Sequence, residues 1–168
     1  MARRFRPNRD GLLVRLHEDE LELLRHMPEE LRELLASKGA DDDDAITARL
    51  FPRAYLDPTE EAAEQDWSEI VVPDLLKDRL AALELVTATL QRARPAKREM
   101  FDVVLNDDEV SAWLGVLNDL RLALGSRLGI ADDTDYTDLD PEDPATPALR
   151  IYAWLTWFQG DLVETLLR

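Results

Sequence analysis

No cysteine occurs in the 168 residues. This excludes disulfides, thiolate metal sites, cysteine nucleophiles and thiol redox switching within the chain. Histidine is almost as scarce, with only His17 and His26. On an ideal helix a nine-residue separation places them about 180° apart, so they cannot share a metal as H-E-x-x-H pairs do. His17-Glu18-Asp19-Glu20 has metal-ligand residue types but no partner at a fixed spacing, and reads as a solvated helix start. The six glycines are scattered, which rules out a glycine-rich phosphate loop. Ser37, Ser68, Ser111 and Ser126 have no G-x-S-x-G surroundings. No apolar run approaches the ~18 residues of a membrane span. The basic start of the chain is followed by no apolar h-region of a secretory signal, so a cytoplasmic protein is expected. These absences leave no catalytic set, metal site or cofactor site, and the chain reads as a non-enzyme.

The excess of charge is acidic: 36 Asp and Glu against 20 Lys and Arg, a formal net charge of -16. Nucleic-acid binding draws its affinity from neutralising phosphates with Lys and Arg, so autonomous DNA binding is disfavoured. Two acidic stretches stand out, at about 38–46 and 131–147. The adjacent carboxylates of 41–44 lack the alternating ligands, glycine turn and distal Glu of a calcium loop. The second stretch resembles such a loop superficially, but Asp138 sits where the turn needs glycine. Both are expected to be flexible loops within one domain spanning 1–168.

The longest helical pattern covers 106–130. Val110, Trp113, Leu114, Leu117, Leu120, Leu124 and Leu128 recur at three- and four-residue steps. Asn106 and Glu109 have capping-box spacing. A second stripe, Ser111, Gly115, Asn118, Leu122 and Gly125, carries two glycines. Each costs a helix interior about 1 kcal/mol relative to Ala, so another backbone is expected to approach there. A helix touched on both sides is the central, buried one.

The remaining elements arrange themselves around it. Asp10-Gly11 between short extended runs predicts a hairpin over 3–16, with 101–105 as the third strand. A helix over 18–36 is expected to kink or break at Pro28, ending at Lys38-Gly39. Residues 50–55 form an apolar connector. Helices over 59–72 and 74–92 are separated or bent at Pro73, the second with a stripe of Leu76, Leu80, Leu83, Val86 and Leu90. A last helix over 148–167 packs Ile151, Tyr152, Leu155, Phe158, Leu162 and Leu166 on the central one. The fold class is α+β and mostly helical: a small antiparallel sheet of about three strands against four to five helices.

Three sets of residues are candidates for recognition. Trp154 and Trp157 point away from the core face of the last helix. They either anchor an interface or are covered by the sheet or another helix. With the Ser111, Gly115, Asn118 stripe they are the candidate surfaces for a partner or a homodimer. Asn118, Asp119 and Arg121 form either a recognition group or a buried polar network, for instance Arg121 to a carboxylate on a neighbouring helix. Arg3, Arg4, Arg6, Arg9 and Arg15 on the hairpin, with Arg92, Arg94, Lys97 and Arg98 before the third strand, form a basic patch on an acidic body. Such dipolarity steers an acidic protein partner, or supports weak nucleic-acid contact.

The phrase W-L-x-x-L-N-D-L-R-L-A-L-G-S-R-L-G-I at 113–130 resembles the signature of an actinobacterial family of unknown function that includes AosR-type oxidative-stress transcriptional regulators. F-R-P at Phe5–Pro7 with D-G-L-L-V-R-L at Asp10–Leu16, R-L-F-P-x-A-Y at Arg49–Tyr55, and Y-x-W-L-T-W-F-Q at Tyr152–Gln159 extend the resemblance over nearly the whole chain. It implies a cytoplasmic regulator acting through protein contacts, with a sigma factor as a candidate partner. A DNA-binding regulator using the Arg-rich hairpin is the alternative. A role beside a protease adaptor is another, since family members commonly neighbour an adaptor gene. The family's redox role depends on cysteine pairs, so the resemblance implies no redox sensing in this cysteine-free chain.

Overall fold

The computed structural model describes residues 4–36, 45–131, 134 and 139–168. Arg3, Lys38-Gly39, the acidic run 41–44 and Asp138 lie outside the described residues. Elements follow in the order β1 (Phe5–Asn8), β2 (Gly11–His17), α1 (Glu18–Ala36), α2 (Ala45–Leu50), α3 (Glu61–Gln91), β3 (Arg94–Pro95), β4 (Met100–Leu105), α4 (Asp107–Leu128) and α5 (Thr146–Leu166). A 3-10 turn at Pro58–Glu60 precedes α3. The architecture is α+β and mostly helical, as expected.

The sheet is antiparallel in the order β1-β2-β4-β3. Alternation puts Phe5, Leu12, Val14, Leu16, Val103 and Leu105 on its buried face. Leu13 and Arg15, facing Val104 and Asp102, stand on the other face. The hairpin forms, but its turn residues are Arg9 and Asp10, and Gly11 opens β2 opposite Asn8. Glycine is required at position 11 for a different reason than the turn. Its φ is +139°, and a Cβ there would lie 2.1 Å from the Leu105 carbonyl oxygen. β3 is a fourth strand that the residue pattern did not announce. It is joined to β4 by a tight turn in which Arg98 and Glu99 take left-handed backbone angles, φ 60° and 58°.

Both internal prolines are accommodated within single helices. α1 runs through Pro28 and α3 through Pro73, so neither helix is broken in two at its proline. In α1, Leu21 and Leu24 before the proline and Leu31 and Leu35 after it bury against one core. Continuity of that face outweighs the missing hydrogen bond, a cost of about 3 kcal/mol. Residues 45 and 46, expected in a loop, begin α2, and α5 starts at Thr146.

α4 is the central helix. Its capping box is formed: the Asn106 side chain accepts from the Glu109 amide, and the Glu109 carboxylate accepts from the Asn106 amide. Gly129 closes it in a left-handed C-cap. Val110, Trp113, Val116, Leu117 and Leu120 are buried, packed among α1, α2, α3, α5 and the sheet. The second stripe does not behave as expected. Ser111, Gly115 and Asn118 are exposed, and nothing approaches a Cβ built on Gly115. Only Gly125 is a close contact, and its neighbour is the Tyr152 ring at 3.1 Å from that Cβ position, a side chain and not a backbone. Covering α4 on several sides leaves one wet edge, and these small polar residues occupy it.

Candidate protein-interaction surfaces

The corner where β1 meets α5 is built around Glu20. Its carboxylate accepts from Arg4 at 2.5 Å, from the His17 amide at 2.8 Å and from Trp154 Nε1 at 3.2 Å. The Arg4 guanidinium lies 4.7 Å from the Trp157 ring and 5.1 Å from the Phe158 ring. Phe158, fully buried, meets Phe5 edge-on at 5.1 Å and stacks with Trp113 at 6.2 Å. The two tryptophans therefore differ. Trp154 is half-buried against Phe158 and tied to Glu20, whereas Trp157 is 55% exposed beneath Arg4. Val163, Leu166 and Leu167 are exposed near the end of α5; Leu166, expected on the face packed against the central helix, is 45% exposed there.

The two basic groups meet on one sheet, but much of their charge is paired. Arg15 grips Asp102 with two bonds, 2.7 and 2.6 Å, across β2 and β4. Arg92 holds Glu109 with two bonds of 2.6 Å and also reaches the Val104 carbonyl oxygen. Arg94 is the register partner of Asp102 on its other side, and Arg9, Lys97 and Arg98 are exposed. Arg6 adds its charge near Asp102.

Three carboxyls paired with these arginines are held below their ordinary range. Burial works against ionisation of Glu20, but Arg4 and the His17 amide outweigh it. The Arg15 hydrogen bonds dominate at Asp102, and those from Arg92 at Glu109. A depressed folded-state pKa gives stability that is present above the unfolded value and lost as pH falls through the folded one. The stability gap between wild type and Glu20→Gln, measured by urea denaturation, should therefore be open at pH 6 and close below about pH 4. A gap independent of pH would contradict the arrangement.

The polar residues of α4 divide. Asn118 is exposed and belongs to no buried network. Asp119 is buried and pairs with Arg79 of α3, not with Arg121. Arg121 turns to α5, donating to Thr156 Oγ1 at 3.1 Å and Gln159 Oε1 at 2.7 Å, with no carboxylate involved. Successive helix positions lie about 100° apart, which separates these neighbours. Arg79 was not singled out in the sequence. Its signal was a cation beside the Leu76, Leu80 and Leu83 stripe of α3, matched by an acid on the apolar side of α4. Glu64, also unanticipated, is buried and accepts from the Ala54 and Tyr55 amides, fastening the apolar connector to α3.

A cavity of about 560 Å³ lies between α2, α4 and α5 and is lined by Arg49, Arg121, Ser126 and Tyr152 among others. An apolar cleft of about 250 Å³ between α1, α4 and α5 has His26, Glu30 and Arg127 at its margin. His26 Nδ1 sits 2.8 Å from the Glu22 carbonyl oxygen. Among the described residues no cluster of His, Asp or Glu is arranged to hold a metal ion. None of the described helices is long and apolar enough to cross a membrane.

Residues 2–166 match a family model described as a domain of unknown function, DUF2017. The chain belongs to the DUF2017 family. The matched span contains every helix and strand of the fold, from β1 to α5. No curated protein and no solved structure matched this DUF2017 chain.

Proposed function

We propose that this chain is a non-enzymatic cytoplasmic regulator that works by docking onto another protein. The observation that carries the reading is the exposed Trp157, held under the Arg4 guanidinium. Tryptophans so placed are preferred interface anchors. A body of net charge -16 repels nucleic acid and steers basic proteins toward it. The resemblance to AosR-type regulators supports a stress-response role with a sigma factor as partner. The alternative of direct DNA binding through the hairpin is weakened by Arg4, Arg15 and Arg92, whose guanidinium groups already hold carboxylates. For a protease-adaptor role, no contact in the structure argues.

Affinity capture from native lysate, with wild-type and Trp157→Ala baits compared at equal loading, tests the reading. A sigma factor or another regulatory protein should be retained by the wild type. Its affinity for Trp157→Ala should fall about 30-fold, as for loss of an anchor worth ~2 kcal/mol. Equal retention by both baits would remove Trp157 from the account. Retention on a phosphate-backbone matrix at low salt, lost steeply with added salt, would favour DNA binding instead.

A further inference from the structure

α3 carries apolar residues on two sides. Leu83, Val86 and Leu90 are buried against the core. On the outward side Ile70 is 71% and Leu85 41% exposed, with Pro73, Ala81 and Ala88 also exposed. A helix apolar on both sides is ordinarily covered on both. A shallow groove of about 480 Å³, lined by Pro73, Leu76, Lys77, Leu80, Ala81 and Glu84, runs along the outward side.

The order of residues along that side identifies what covers it. Taken about the midpoint between Leu80 and Ala81, Lys77 and Glu84 lie one turn away in opposite directions. Pro73 and Ala88, on the same side, are equidistant from the same point. Two α3 helices laid antiparallel about a two-fold axis through this midpoint would set Lys77 of each copy opposite Glu84 of the other. Pro73 would face Ala88, and Ala81 would lie beside its own copy at the axis. A two-fold interface requires this self-complementarity, in which residue i meets j and j meets i. A partner of unrelated sequence would need no such palindrome of charge. Among the described residues Glu84 reaches the outer limit of an ion pair, 4.0 Å from Arg32.

We infer that the outward face of α3 is a homodimer interface, with reciprocal Lys77–Glu84 pairs setting its register around an apolar centre at Leu80 and Ala81. This inference stands apart from partner docking at Trp157 and relocates the dimer contact away from Trp154, Trp157 and the Ser111 stripe.

Sedimentation equilibrium of the full chain at micromolar concentration is the test. The mass should be twice the 19.2 kDa of the chain. Lys77→Glu sets like charges opposite each other twice and should weaken the dimer roughly tenfold or more. The reversal Lys77→Glu/Glu84→Lys should restore it, while Trp157→Ala leaves it unchanged. All three are surface positions, and circular dichroism checks that each variant is folded. Since the chain has no other thiol, Ala81→Cys should form an oxidised dimer through its position beside the axis, and Ala88→Cys should not. A monomer at every concentration overturns the inference. So does a dimer that resists Lys77→Glu, one that Trp157→Ala dissolves, or one whose Ala81→Cys form fails to cross-link.

Discussion

Replacing Trp113 with alanine is expected to cost about 3–5 kcal/mol of unfolding free energy, the largest loss from any single side chain of α4. Trp113 is 1% exposed, stacks on Phe158 at 6.2 Å and donates from Nε1 to Thr89 Oγ1 at 2.8 Å. Thr89 is itself fully buried and donates to the Val86 carbonyl oxygen. The substitution opens a void where α3, α4 and α5 meet and deprives a buried hydroxyl of its donor. Set against the 5–15 kcal/mol typical of a whole domain, the variant should be marginally folded. Its thermal midpoint should lie about 10 °C or more below wild type. Trp113→Phe keeps an aromatic ring in place and should lose distinctly less. Urea denaturation followed by circular dichroism reads both. A loss under about 1 kcal/mol for Trp113→Ala would show that the site collapses around the missing ring.

Arg79→Met should destabilise by a similar amount through a different cause. Arg79 pairs with buried Asp119, donates to the Leu50 carbonyl oxygen at 2.8 Å and lies 5.4 Å from the Phe51 ring. It thereby ties α3 to α4 and to the end of α2. Removing one member of a buried ion pair typically costs 3–5 kcal/mol, because the other charge is left without compensation. Burial already pushes the Asp119 carboxyl above its usual range, with the Arg79 hydrogen bond pulling the other way. Loss of Arg79 should raise it further. A raised folded-state pKa makes the folded state the stronger proton binder, so Arg79→Met should recover stability as pH falls through that pKa. Arg79→Met/Asp119→Leu, which removes both charges, should regain most of the loss at neutral pH. Urea midpoints at pH 7 and pH 5 distinguish these outcomes. A pH-independent deficit in Arg79→Met would assign the effect to lost packing and not to the stranded carboxylate.

The residues that announced themselves were those whose role is set by local periodicity. The Asn106–Glu109 capping box, the apolar stripe of α4, the strand at Met100–Leu105 and the Leu155, Phe158 and Leu162 part of the core face of α5 were all legible, while Leu166, placed on that face by periodicity, is exposed. What was not legible depends on distant neighbours. Nothing local shows that Gly11 is needed to clear the Leu105 carbonyl, because β4 lies far along the chain. The left-handed pair Arg98 and Glu99 carries no Gly or Asn, so the turn leading out of β3 had no marker. Gly115 and Gly125 looked alike in one stripe, yet one meets open solvent and the other the Tyr152 ring. Of the candidate surfaces, the aromatic signal of Trp157 could be read directly. Pairing of Arg4 with Glu20, and of Arg79 with Asp119, required the fold to bring them together.

Native-state hydrogen exchange tests the shared foundation of these readings most directly, namely that α4 is a sequestered pillar while function lies on outer faces. The amides from Val110 to Leu120 should exchange only through global opening, with a free energy equal to that from urea denaturation. Those near Val163 to Leu167 should exchange through smaller, local openings. Exchange in α4 as fast as at the end of α5 would contradict the account.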